Sequence, residues 1–211
     1  MSGANPWAER RREYSEAGLG EAEMAADPVA MFRRWYDDAA DLPEPNAMVV
    51  ATVSADGHPS VRTVLLKGLD DRGAVFFTNV ASRKGTDLAA NPHCALLFPW
   101  HPLERQVRIE GVAERLDEGE VAAYFASRPR GARLGAHASA QSRPTTPEAL
   151  AAAFADAEQR FGDEIPVPGE WGGYRVHPQR WEFWQGRSNR MHDRLCYLPA
   201  AAGWRIERLA P

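Results

Sequence analysis

Met48-Val49-Val50-Ala51-Thr52-Val53 and Ser60-Val61-Arg62-Thr63-Val64-Leu65-Leu66-Lys67 flank an Asp56-Gly57 turn, and this stretch decides the fold class. The first run is apolar and rich in β-branched side chains, which pack well on a pleated surface. Asp-Gly between two such runs is a strong hairpin signal, because a tight turn needs residues that tolerate positive φ. Outward from the hairpin the pattern repeats. Asp70-Asp71-Arg72-Gly73 makes another turn, a third strand follows over 74–78, and two more are expected over 93–100 and 105–116. Five strands in close succession, joined mainly by short turns, predict an antiparallel sheet or barrel and not alternating βαβ units.

Helices decorate this sheet. Asp27-Pro28 places an N-cap residue before a proline at the first helical position, and Phe32, Trp35, Tyr36 and Ala39 form an apolar stripe ended by Pro43 and Pro45. Ser82 is placed to cap a short helix that stops near Asn91-Pro92. Asp117 caps one that reaches about Ser127 before Pro129, and a second short helix runs through Gly135. Thr145 and Glu148 have capping-box spacing ahead of a helix whose apolar face is Leu150, Phe154, Ala157 and Phe161. Strands are expected again over 173–177, 180–185, 195–198 and 204–209. Residues 1–26 are polar and weakly patterned and predict a mobile arm, with Arg11-Arg12-Glu13-Tyr14 its one dense spot. Residues 27–211 predict a single, mainly β domain with helices (α+β).

Composition narrows the function. A net charge of -4 counts against a nucleic-acid binder. No apolar run approaches the ~20 residues of a membrane span, and the N-terminus lacks a signal-peptide core. Two cysteines are too few for a disulfide framework, which suits a reducing cytoplasm. Six scattered histidines show no zinc-type spacing, so no metal site is expected. Seven tryptophans can fill a core or wall a ring-shaped ligand.

Within an acidic chain the cations cluster. Trp184 is followed by Arg187, Arg190, His192 and Arg194, three arginines and a histidine within eight residues. Arg190 and His192, two apart, share a side if the segment is extended. Buried cations are costly unless an anion meets them, so the cluster points to an anionic ligand. Arg62 and Lys67 bracket an apolar strand. Their odd spacing means that they touch different parts of one ligand, flank a bulge, or serve two sites. Ser82-Arg83-Lys84 opens a helix, where backbone N–H groups and two cations suit a phosphate. Gln106 and Gln141-Ser142 offer amides that can read a heterocycle edge. Tyr124 and Arg128 are i, i+4 on one helix and can converge on an oxyanion. Arginine neighbours disfavour protonation of His192.

The ordered set of these motifs resembles the pyridoxine/pyridoxamine 5′-phosphate oxidase family over about 11–211. It comprises Arg11-Arg12-Glu13-Tyr14, Arg62-Thr63-Val64-Leu65-Leu66-Lys67, Phe76-Phe77-Thr78-Asn79 with Ser82-Arg83-Lys84, Leu97-Phe98-Pro99-Trp100-His101 and Glu104-Arg105-Gln106-Val107. It continues through Ser127-Arg128-Pro129-Arg130, Gln141-Ser142, Trp171-Gly172-Gly173-Tyr174-Arg175, Glu182-Phe183-Trp184-Gln185-Gly186, Arg190-Met191-His192-Asp193-Arg194 and Arg208-Leu209-Ala210-Pro211.

The resemblance implies an FMN-binding split β-barrel, a homodimer with FMN at the subunit interface, and oxidation of phosphorylated B6 vitamers by O2. It implies FMN contacts at Arg62, Thr63, Val64, Leu65, Leu66, Lys67, Phe77, Thr78, Arg83, Lys84, Gln106, Gln141, Ser142, Trp184 and Arg194. It implies substrate contacts at Lys67, Tyr124, Arg128, Arg190, Met191 and His192, with Arg190 and His192 catalytic and Arg11, Arg12, Glu13 and Tyr14 forming an active-site lid. Two positions depart from the family: Ala132 stands where a serine often meets the substrate phosphate, and Phe77 where a tyrosine is common. A reductase on the same fold and a non-catalytic flavin carrier are the rival expectations.

Overall fold

A computed structural model of the chain describes residues 13–14 and 18–211, so Arg11 and Arg12 lie outside the described residues. The elements run α1 (Pro28–Asp38), β1 (Ala47–Val53), β2 (Pro59–Leu65), β3 (Gly68–Asp70), β4 (Gly73–Asn79), α2 (Arg83–Ala90), β5 (His93–Trp100), β6 (Arg105–Arg115), α3 (Glu118–Ser127), α4 (Arg130–Ala138), α5 (Pro147–Arg160), β7 (Trp171–Gln185), β8 (Asp193–Pro199) and β9 (Trp204–Leu209). The strands are hydrogen-bonded in the order β2-β1-β5-β6-β7-β4-β3, with β8 added to β7 and β9 to β8. The expected hairpin is present: β1 and β2 pair antiparallel from Ala47↔Leu65 to Val53↔Pro59, and Gly57 turns at φ 81°.

The described residues pack as two compact units, those up to 45 with 97–109 and 180–211, and 46–96 with 110–179. In the first unit, Asp27 caps α1 by accepting from the Ala30 N–H at 2.8 Å. The apolar stripe of α1 meets the sheet through rings: Phe32 lies 4.8 Å from Phe98, and Trp35 lies 5.2 Å from Phe183, both edge-on. Edge-to-face pairs of this kind add to plain area burial. In the second unit, Met48, Val50, Phe76 and Val176 are fully buried along the sheet. A cluster of Phe125, Leu134, Ala157 and Ile165 joins the three helices α3, α4 and α5.

Several sequence expectations are corrected. The strands expected over 173–177 and 180–185 are one strand, β7, with Pro178 inside it. The register with β4 ends at Val176 and that with β8 begins at Trp181, so the missing Pro178 N–H leaves neither of those two ladders short. Thr146 caps α5 in place of Thr145, accepting from the Ala149 N–H at 3.1 Å, which moves the cap one residue from the capping-box reading. Leu150 is exposed, while Ala157 of the same helix is buried. Residues 18–26 of the expected arm are hydrogen-bonded to the far end of the chain. The Leu19 N–H donates to Asp193 at 2.9 Å, the Leu19 carbonyl accepts from Arg208 at 2.9 Å, and the Tyr197 hydroxyl donates to the Ala25 carbonyl at 2.8 Å.

Candidate functional site

The second unit contains a cavity of about 820 Å³. Among the described residues, five cations line it (Arg62, Lys67, Arg83, Lys84 and Arg128) and no carboxylate does. Strand β2 supplies Arg62. Its Nη1 donates to Thr52 Oγ1 at 2.6 Å and its Nη2 to Ser60 Oγ at 2.6 Å. Behind them sits buried Asp87 of α2, which accepts from Thr52 at 2.7 Å and lies 3.7 Å from the guanidinium. The guanidinium is thereby locked on a preformed frame, which lowers the entropy cost of using it.

The odd spacing of Arg62 and Lys67 has a simple resolution. Strand β2 stops at Leu65; the Leu66 N–H then donates to Asn46 at 2.8 Å and the Lys67 N–H to Val75 at 2.8 Å. The chain thus leaves β2 before the alternation would turn Lys67 away, and both cations line the one cavity. Thr63, Val64 and Leu65 line it as well, and Leu66 does not.

Helix α2 begins beside the cavity, but Ser82 makes no side-chain cap. Its hydroxyl donates to the Asn79 carbonyl at 2.6 Å and accepts from Lys84 Nζ at 3.2 Å. Lys84 is buried and also donates to Thr78 Oγ1 at 2.9 Å and Gln141 Oε1 at 2.6 Å. All three partners are neutral oxygens. Burial, with Arg62 adding repulsion, brings its pKa down to about 8. Gln141 and Ser142 arrive from the loop after α4, with Ser142 at φ 71°.

Tyr124 and Arg128, one turn apart at the end of α3, both line the cavity, as do Phe77, Thr78 and the departing Ala132. Arg128 Nη1 is buried and meets no acceptor among the described residues. An orphaned guanidinium N–H costs free energy that an incoming anion recovers.

The first unit gathers the remaining predicted residues. Tyr14, His101, Glu104, Arg105, Gln106 and Trp184 line a smaller cavity of about 180 Å³. The Tyr14 ring stands edge-on to Trp184 at 5.7 Å and to His192 at 5.3 Å. A Cβ on Gly186 would fall 2.8 Å from the Tyr14 ring, so glycine there makes room for it. His192 Nδ1 accepts from the Arg187 N–H at 3.0 Å, which leaves Nε2 as the ring atom free to carry the proton. Burial and then Arg190 pull the His192 pKa below its ordinary value. Glu13 and Met191 are exposed.

The extended geometry expected at Arg190 and His192 is corrected. Ser188–Arg190 forms a 3-10 turn, with Asn189 at φ 54° and Arg190 at φ 59°. Two successive left-handed residues reverse the chain, so period-two alternation does not apply there. Arg194 forms a bidentate pair with buried Glu182, Nε to Oε1 at 3.0 Å and Nη2 to Oε2 at 3.1 Å. That pairing holds its pKa above the ordinary arginine value. Sequence reasoning missed Asp87 and Glu182, buried carboxylates that hold the site arginines Arg62 and Arg194. A carboxylate in a stretch that must be buried was the available signal.

The comparisons agree with one another. Residues 38–161 match the family described as "Pyridoxamine 5'-phosphate oxidase", and residues 171–211 match the "Pyridoxine 5'-phosphate oxidase C-terminal dimerisation region". The chain is 58% identical over 204 residues to a pyridoxine/pyridoxamine 5′-phosphate oxidase of Nocardioides sp., covering 95% of this chain and 96% of that protein. It is 55% identical over 204 residues to one of Bordetella pertussis, covering 95% and 97%. Among solved structures, PhzG from Burkholderia lata in complex with tetrahydrophenazine-1-carboxylic acid superposes with a TM-score of 0.86 at 32% identity, covering 93% of this chain and 100% of that one. A pyridoxamine 5′-phosphate oxidase-related, FMN-binding protein of Nostoc punctiforme gives a TM-score of 0.74 at 17% identity, covering 89% and 100%, which bears on the fold alone.

Proposed function

Because the chain belongs to the pyridoxine/pyridoxamine 5′-phosphate oxidase family, we propose that it binds FMN and oxidises pyridoxine and pyridoxamine 5′-phosphates to pyridoxal 5′-phosphate with O2 as acceptor. One observation carries this reading: a cavity walled, among the described residues, by five cations and no carboxylate. Such a wall is unfavourable until phosphate enters it. The residues fit a flavin phosphate, since Lys84 faces only neutral oxygens and Arg62 is locked in place from behind. Bound FMN would supply the hydride acceptor, and O2 would take the electron pair on to H2O2.

The chain's own residues supply binding and orientation. Arg62, Arg83 and Lys84 hold the cofactor phosphate. Lys67, Tyr124 and Arg128 hold that of the substrate. Gln141, Ser142, Thr78 and Phe77 complete the wall of the cation-lined cavity; in the first unit Gln106 and Trp184 would meet a flavin ring, and Glu182 fixes Arg194. Arg190 orients the vitamer and stabilises developing charge, His192 hydrogen-bonds it through Nε2, and Tyr14 covers it. The match of 171–211 to a dimerisation region supports a homodimer with two such sites. No helix among the described residues is long and apolar enough to cross a membrane, and two unpaired thiols, Cys94 and Cys196, support a reducing cytoplasm.

The test is direct. Purified protein should be yellow, and pyridoxine 5′-phosphate with O2 should yield aldehyde and H2O2 in equal amounts. Unphosphorylated pyridoxine should turn over far more slowly. Flavin-free protein, or flavoprotein that makes no H2O2 from the phosphorylated vitamers, would refute the reading.

Lys84 also sets a pH dependence. A phosphate at Nζ favours the ammonium, so FMN binding takes up a proton once the pH exceeds the free-protein pKa of about 8. FMN affinity should be level below pH 8 and fall above it, by up to about tenfold per unit. Titrations by flavin fluorescence between pH 7 and 9.5 should show this bend, and Lys84→Arg should remove it.

A further inference from the structure

We infer that Trp171 is a positioning residue for the substrate phosphate: its indole face holds the Arg128 guanidinium in place in the cavity. The inference rests on the reading that Tyr124 and Arg128 receive that phosphate. Arg128 lies just past the end of α3, at its C-cap. Its Nη1 is buried and has no acceptor among the described residues, so hydrogen bonding does not hold that side of the group. Aromatic faces do. Arg128 Cζ lies 5.0 Å from the Trp171 ring centroid and 5.7 Å from that of Phe125. A guanidinium on an indole face is attracted by the ring quadrupole while its N–H edges stay free for a ligand.

The same indole orders the neighbouring phenol. Phe77 and Tyr124 stack at 3.9 Å with 13° between their planes. Trp171 is nearly parallel to both, at 7° and 8°, and 5.5 Å from Phe77. Trp171 is itself fixed from three directions. It pairs with Asn79 at the start of β7, its N–H donates to the Pro168 carbonyl at 2.9 Å, and its ring meets Phe125 edge-on at 4.9 Å. A rigid strand residue thus orients two side chains of a helix end. The arrangement suits this chain because Ala132 brings no hydroxyl to the cavity, which leaves more of the phosphate grip to Arg128.

The test uses the FMN-loaded protein, with inorganic phosphate as a competing probe. Trp171→Met keeps apolar bulk but removes the π face. It should raise KM for pyridoxine 5′-phosphate roughly tenfold, and the phosphate inhibition constant in parallel, with kcat within about twofold and flavin content unchanged. Trp171→Phe keeps a smaller face and should fall between, at about threefold. It carries the test if the methionine variant does not fold. Unchanged KM and inhibition constant in whichever variant folds, or a KM rise without a matching rise in the inhibition constant, would overturn the inference. Arg128→Gln separates this from the underlying reading. If Arg128→Gln leaves KM unchanged, the assignment of the phosphate grip fails. If it raises KM while the Trp171 variants do not, only the role of Trp171 fails. In the Arg128→Gln background, Trp171→Met should add nothing, whereas a merely structural tryptophan would still add its own effect.

Discussion

Lys84→Met combined with Arg83→Ala is expected to purify almost colourless while staying folded and dimeric. Each lost charge-assisted bond to phosphate costs about 1.5–3 kcal/mol, so the pair should weaken FMN binding by at least about a hundredfold. Stability should move the other way. Lys84 is buried against three neutral oxygens and its charge is disfavoured there, so replacing it by an apolar chain of similar length removes a desolvation cost. Thr78 and Ser82 can rotate their hydroxyls to other partners, and Arg83 is exposed. The melting temperature of the flavin-free double variant should therefore equal or exceed that of flavin-free parent protein. Absorbance at purification and a melting curve check both halves, and full flavin occupancy in the variant would place the cofactor phosphate elsewhere.

Arg190→Met should do the opposite: keep the yellow colour and lose most turnover. Arg190 is exposed in the turn between β7 and β8, and its charge helps hold the neighbouring His192 neutral. A cation aimed at charge that develops on the bound substrate contributes several kcal/mol, so kcat/KM for pyridoxine 5′-phosphate should fall by roughly a hundredfold or more. A bracing role for Arg190 through Asp193 is not what the structure shows. Asp193 is met by Arg208, by Arg187 at 3.5 Å and by the Leu19 N–H. The melting temperature should accordingly change little. Steady-state rates close to the parent's would remove Arg190 from the chemistry.

Local chemistry was legible before any coordinates. The Asp56-Gly57 hairpin, the Asp27 cap with Pro28, and the Asp117 cap depend on a few adjacent residues and appear as read. So does the clustering of cations on 62–67 and 83–84, which line one cavity. The ordered motifs also carried the family, which agrees with the matches over 38–161 and 171–211.

Other features were decided by long-range contacts. Period-two alternation says which face Arg62 takes but cannot say that β2 stops at Leu65, which Asn46 and Val75 enforce by accepting from Leu66 and Lys67. Pro178 reads as a break, yet it falls where neither the β4 nor the β8 ladder needs its N–H. Residues 18–26 read as a loose arm because their composition is polar, whereas Asp193, Tyr197 and Arg208, more than 170 residues away, hold them by hydrogen bonds. The placement of Trp171 under Arg128 has no sequence signature at all, since 43 residues separate the two and only tertiary packing sets the indole against the guanidinium. Sequence alone thus determined which groups the protein has to offer an anionic ligand, through local propensity and charge. Tertiary structure decided which of them share a wall, because that depends on where strands end and which distant backbone groups they pair with.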